Sequence, residues 1–164
     1  MNFFDPECRE PARKDVKFGL CDDQNGTKAY TNTDDPSRWI ATVQNDTKVE
    51  LTFTAIDNCV IMNDEECGRR RCDGMLTSAK HIYFIELKDV REGWMVDAID
   101  QIDSTIRFFM EHHDISMYRY KKAFACNKRH RAFKVIDNEL RRRFLTVFIF
   151  ISMCKHALLS YEQS

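Results

Sequence analysis

"RCDGMLTSAKHIYFIELKD", residues 71–89, sets two apolar runs on either side of a short polar break. Runs of this kind joined by a few residues read as a β-hairpin. Side chains alternate faces along a strand, so Ile82, Phe84, Glu86 and Lys88 share one face. With a loop over 78–81, Thr77 faces Ile82, Met75 faces Phe84, and Asp73 falls opposite Glu86. Directly opposed residues have Cβ atoms about 4.5–5.5 Å apart. Two carboxylates that close repel one another, and the pKa of one rises unless a cation lies between them.

A divalent metal resolves that conflict. Carboxylates with few other ligands suit Mg²⁺ or Mn²⁺, which complete their shells with water and substrate phosphate. Lys88, on the same face, is placed to hold an attacking water and to offset developing negative charge. Such a constellation fits phosphodiester hydrolysis.

The flanking sequence supplies the frame. In "DDPSRWIATVQN" (34–45), Asp35 or Ser37 is suited to cap a short helix with Pro36 in its first turn and Trp39, Ile40 and Val43 on one side. "KVELTFTAIDNCVIM" (48–62) alternates Leu51, Phe53 and Ala55 with Glu50, Thr52 and Thr54, as a strand does. After the hairpin, Met95, Ile99, Ile102, Ile106 and Phe109 recur at spacings of three and four, the pattern of a helix with one buried face. A strand "YRYKKAFACN" (118–127), a basic helix over 129–144 and a last apolar strand within 144–154 follow. The chain thus reads as one mixed α/β domain over 36–164, with helix, three antiparallel strands, helix and strand, then an additional helix and strand. Residues 1–35, rich in turn formers, are expected to be irregular.

Asp73, the apolar strand and "IELK" (85–88) resemble the PD-(D/E)XK nuclease superfamily, in which an Asp on one strand and Glu-x-Lys on the next bind Mg²⁺ and cut nucleic acid. The resemblance covers roughly residues 37–127 and implies a restriction-endonuclease-like core. It also implies a catalytic role for Gln101, since a Gln in the helix after the Lys often lines the active site. The match departs from the pattern in two places. Cys72 stands where the motif has Pro, and "SRWIATVQN" (37–45) holds no acidic residue where the first helix often has one. Glu50 and Asp57 are the candidates to replace it as a further metal ligand.

Charge is unevenly spread. Residues 1–113 hold 14 Lys and Arg against 22 Asp and Glu, whereas residues 114–143 hold 10 against 3. Basic clusters displace counterions from phosphates, so Lys121, Lys122, Lys128, Arg129 and Arg131 are the expected nucleic-acid contacts, with Tyr118 and Tyr120 as stacking surfaces. DNA is the partner placed ahead of RNA. A single cutting site per chain makes a homodimer the geometric expectation for cleaving both strands at once. A module of the same fold that binds nucleic acid or a protein without cutting is the alternative.

The longest apolar run, 144–154, falls short of the roughly 20 residues that span a bilayer. With no secretory pattern in "MNFFDPECRE" and seven cysteines lacking any Cys-x-x-Cys pair, the expectation is a cytoplasmic protein with reduced thiols. Cys59, Cys67 and Cys72 form the one cluster, at spacings that match no usual zinc finger.

Overall fold

The computed structural model describes residues 1–62, 68–129 and, as backbone, 150–154. Its larger sheet has five strands: β4 (Thr52–Ala55), β5 (Gly74–Thr77), β6 (His81–Lys88), β7 (Tyr120–Asn127) and β8 (Phe150–Cys154), in that spatial order. Before them, β1 (Lys17–Cys21), β2 (Tyr30–Asn32) and β3 (Ala41–Gln44) form a separate antiparallel sheet in the order β2-β1-β3. One long helix, α1 (Trp94–His112), lies between β6 and β7 in the chain.

The hairpin has the register read from its loop length: Thr77 pairs with Ile82, Met75 with Phe84 and Gly74 with Ile85. β4 joins β5 antiparallel, while β6–β7 and β7–β8 are parallel. Parallel neighbours need a crossover connection, and α1 supplies it between β6 and β7.

Apolar clusters on the two faces of the five-stranded sheet make a three-layer arrangement. On one face Met75, Ile82 and Phe84 pack with Ile99, Ile102, Ile106 and Phe109 of α1, with Met95 at the margin. On the other, Leu76, Tyr83, Ile85 and Leu87 pack with Phe18, Leu20 and Val43 of the small sheet. A central strand covered on both sides reads as a continuous apolar run, which is why "IYFI" within β6 shows no polar alternation.

Residues 34–45 form no α-helix. Pro36–Arg38 is a single 3₁₀ turn capped by Asp35, whose carboxylate accepts from the Ser37 N–H, and the chain then extends into β3. Trp39 folds over Gly19, where an added Cβ would come within 2.0 Å of the indole. Ala41 and Val43 turn inward with period two and pair with β1.

Residues 1–35 are not irregular either. They supply β1 and β2, and Arg9 and Arg13 bridge to Thr54 and Leu51 along β4. Phe3 is buried at the end of α1, with its ring 5.2 Å from Phe109. The turn formers punctuate short strands whose partners lie far along the chain, beyond the reach of local pattern.

The thiol expectation is also corrected, because Cys8 and Cys59 are joined by a disulfide that ties the N-terminal segment to the loop after β4. Cys21 and Cys72 are free and buried, and Cys126 is buried. Cys67, the basic helix over 129–144 and the expected contact Arg131 lie outside the described residues. Among the described residues no helix is long and apolar enough to cross a membrane.

Candidate active site

Asp73 ends the loop before β5, and Glu86 and Lys88 sit at the C-terminal end of β6 on the face covered by α1. Gly74 fixes how closely β5 approaches β4, since a Cβ there would fall 2.4 Å from the Phe53 ring and 2.9 Å from the Thr54 carbonyl. The same tight contact holds Asp73 at the sheet, where its carbonyl accepts from the Ile56 N–H at 2.8 Å.

Asp73 is 7% exposed and Glu86 1%, which is costly for acids unless charge or hydrogen bonds compensate. Asp73 Oδ2 accepts from the Leu87 N–H at 2.5 Å. Lys88 Nζ lies 2.5 Å from Glu86 Oε1 and donates to Gln101 Oε1 at 2.7 Å. Gln101 Nε2 in turn donates to the Arg71 carbonyl at 3.1 Å. One turn further along α1, Thr105 accepts from the Cys72 N–H at 2.7 Å and donates to the Gln101 carbonyl at 2.8 Å. Helix α1 therefore clamps the segment that leads into β5 through Asp73 and orients the lysine on β6. Glu86 Oε2 is buried, and among the described residues no side chain or backbone group stands at hydrogen-bond geometry to it.

The electrostatics follow from this packing. Burial pushes Asp73 well above the usual carboxylate range, and the Glu86 and Asp22 carboxylates add to the rise. Burial likewise pushes Glu86 up to about 7, against the opposing pull of Lys88, with Asp57 contributing to the rise. Desolvation works to lower Lys88, but Glu86 and Asp73 outweigh it and hold the ammonium above its ordinary value.

A cleft of about 190 Å³ opens over these groups, lined by Asp22, Asp57, Asp73 and Glu86 together with Lys88 and Gln101. The structure thus brings Asp73, Glu86, Lys88, Gln101 and Asp57 together. Asp57 is also paired with Arg71. Glu50 is not there. It lies on the surface, 64% exposed and 3.4 Å from Lys14, because it precedes β4 at the opposite end from Asp57. Among the described residues, no three acidic, histidine or cysteine side chains approach closely enough to enclose an ion on their own.

The expected basic contacts divide between the two ends of β7. Lys128 and Arg129 follow Asn127, which pairs with Lys88, so they lie at the cleft end. There Lys128 Nζ donates to the Ser37 carbonyl at 2.6 Å, and Arg129 pairs with Asp89 at 2.5 Å. Lys121 and Lys122 pair with Ile82 and Tyr83 at the other end and take no part in the cleft.

Sequence reasoning missed Asp22, Gln24 and Arg71. Gln24 donates to the Leu87 carbonyl at 3.2 Å and fastens the 22–27 loop across the site. The pair Asp22–Asp23 before "QNG" was visible, but nothing local ties that turn to a hairpin fifty residues away.

Comparison with protein-family models, with curated proteins and with solved structures finds no match.

Proposed function

We propose that this protein is a metal-dependent nuclease of the PD-(D/E)XK type that hydrolyses phosphodiester bonds, with DNA placed ahead of RNA. The observation that carries the reading is the buried carboxylate pair Asp73–Glu86 beside a lysine, with no partner for Glu86 Oε2 among the described residues. Asp22, Asp57, Asp73 and Glu86 against Lys88 and Arg71 leave a formal excess of two negative charges around one small cleft. That excess suits Mg²⁺ or Mn²⁺, which take one or two protein carboxylates and fill the remaining positions with water and phosphate oxygens. The strand order also supports a restriction-endonuclease-like core: three antiparallel strands, a helix, then a strand parallel to the third. The first helix of that core has no counterpart among the described residues ahead of β4.

Asp73 and Glu86 would hold the ion, with Asp57 the nearest of the expected further ligands and Asp22 across the cleft. When bound, such an ion polarises the phosphate and lowers the pKa of water to give a nucleophile near neutral pH. Lys88 keeps its proton because two carboxylates face it, so it donates to phosphate oxygens and offsets the charge that develops as water attacks. Gln101 is a positioning residue: its carbonyl oxygen fixes the ammonium, and its amide is held by the Arg71 backbone. Lys128 and Arg129 at the same sheet end suit the flanking backbone of the substrate.

The test is incubation with labelled single- and double-stranded DNA and RNA in Mg²⁺ or Mn²⁺. Cleavage that requires the metal and disappears in Glu86→Gln and Lys88→Met is expected. Cleavage that survives both substitutions overturns the reading, and metal-independent binding without cleavage points to the non-catalytic module instead.

A further inference from the structure

The other end of the same hairpin, where β5 turns into β6, opens on a second and larger hollow of about 830 Å³. Lys80 and Lys88 stand at opposite ends of one extended strand, roughly 25 Å apart at about 3.3 Å per residue, so the acidic cleft and this groove share no residue.

The composition of the groove differs sharply from that of the cleft. Arg9, Lys80 and Arg119 line it, and its one carboxylate, Glu50, is already 3.4 Å from Lys14. Tyr120 stacks on His81 with ring centroids 4.7 Å apart and 16° between planes, and the Arg119 guanidinium lies 5.1 Å from the Tyr120 centroid. Ser78 Oγ, 2.7 Å from His81 Nδ1, sets the orientation of that ring. Behind the lining, Lys122 Nζ lies 6.0 Å from the Tyr83 ring, which packs edge-on to His81. Phe4, Val49 and Met117 supply the apolar part of the wall, and Met117 is 69% exposed.

We propose that this groove binds a nucleotide unit, a phosphate together with its base, presented either by a free nucleotide or by a single-stranded end of nucleic acid. Three cationic side chains opposed by no unpaired acid supply the phosphate contacts, and arginine suits them because its planar fork matches phosphate oxygens. The layered Arg119, Tyr120 and His81 present flat groups of the kind on which bases stack, a contact worth about 1–3 kcal/mol per base. The hollow falls within the range of small-molecule sites, roughly 300–1,000 Å³. The positive character of the wall is also felt by His81, held below its ordinary pKa by burial and then by Lys122 and Lys80. The inference goes beyond the cleft, since no cleft residue takes part.

The experiment is titration calorimetry of the full chain in chelator-containing buffer with adenosine 5′-monophosphate, a short oligothymidylate and inorganic phosphate. The parent, Glu86→Gln and the double variant Lys80→Ala/Arg119→Ala are compared. Both groove side chains are exposed, and thermal melts of the double variant are expected to match the parent. The expected result is binding of the mononucleotide, the oligonucleotide or both, retained in Glu86→Gln and weakened tenfold or more in the double variant. Which of the two ligands binds identifies the source of the nucleotide unit. No binding of either, phosphate binding as tightly as the mononucleotide, or indifference to the double substitution overturns the proposal. Because metal is withheld, a failure here is separate from a failure of cleavage.

Discussion

Replacing Glu86 by Gln removes a buried charge, and its effect on stability has a definite sign in pH. The carboxyl rises from 4.5 to about 7 because burial strips it of water, with the Asp57 carboxylate adding to the rise. A carboxyl whose folded pKa is raised contributes its full stability below the unfolded value and loses it as pH climbs through the folded value. In metal-free protein that loss falls between pH 4.5 and about 7 and amounts to about 3 kcal/mol at 1.36 kcal/mol per unit. Glutamine keeps the shape and stays neutral, and Lys88 retains its hydrogen bond to Gln101. Glu86→Gln is therefore expected to match the parent at pH 4 and to exceed it by about 1–3 kcal/mol at pH 8, roughly 2–10 °C in Tm for a chain of this size. Urea unfolding of both proteins in chelator at the two pH values measures the difference. A variant less stable than the parent at pH 8, or a difference that does not change with pH, refutes the reasoning.

Gly74→Ala forces a methyl group into the Phe53 ring and the Thr54 carbonyl and is expected to cost about 1–3 kcal/mol, read as a lower denaturation midpoint. Thr105→Val leaves the buried Cys72 N–H without its partner; a loss of about 1–3 kcal/mol is expected, read as a lower urea midpoint. The Cys8–Cys59 disulfide closes a separation of 51 residues, so Cys8→Ser/Cys59→Ser should lower stability by about 4 kcal/mol on the chain-entropy scale. Urea midpoints that do not differ between the two proteins contradict that value.

The hairpin was legible because its register depends only on loop length and alternation, and both are local. Glu86 and Lys88 therefore share a face of β6 as read, with Asp73 just ahead of β5 at the same cleft, and α1 was equally plain from its spacing of apolar residues. The first helix failed because Asp-Pro-Ser opens a 3₁₀ turn as well as an α-helix, and the outcome was set by Gly19 and β1, distant in sequence. Asp22 escaped for the same reason: its place depends on Gln24 reaching the Leu87 carbonyl. The basic stretch was recognised as a patch, but a strand of eight residues carries its two ends far apart. Composition alone did not reveal that Lys121 and Lys128 serve different surfaces.

The central claim is that a divalent ion sits between Asp73 and Glu86. Crystals soaked in Mn²⁺ and measured for anomalous scattering test it directly. The account predicts a peak within coordination distance of both carboxylates in the parent and its loss in Glu86→Gln. A fully soaked crystal with no peak there, or one unaffected by that substitution, contradicts it.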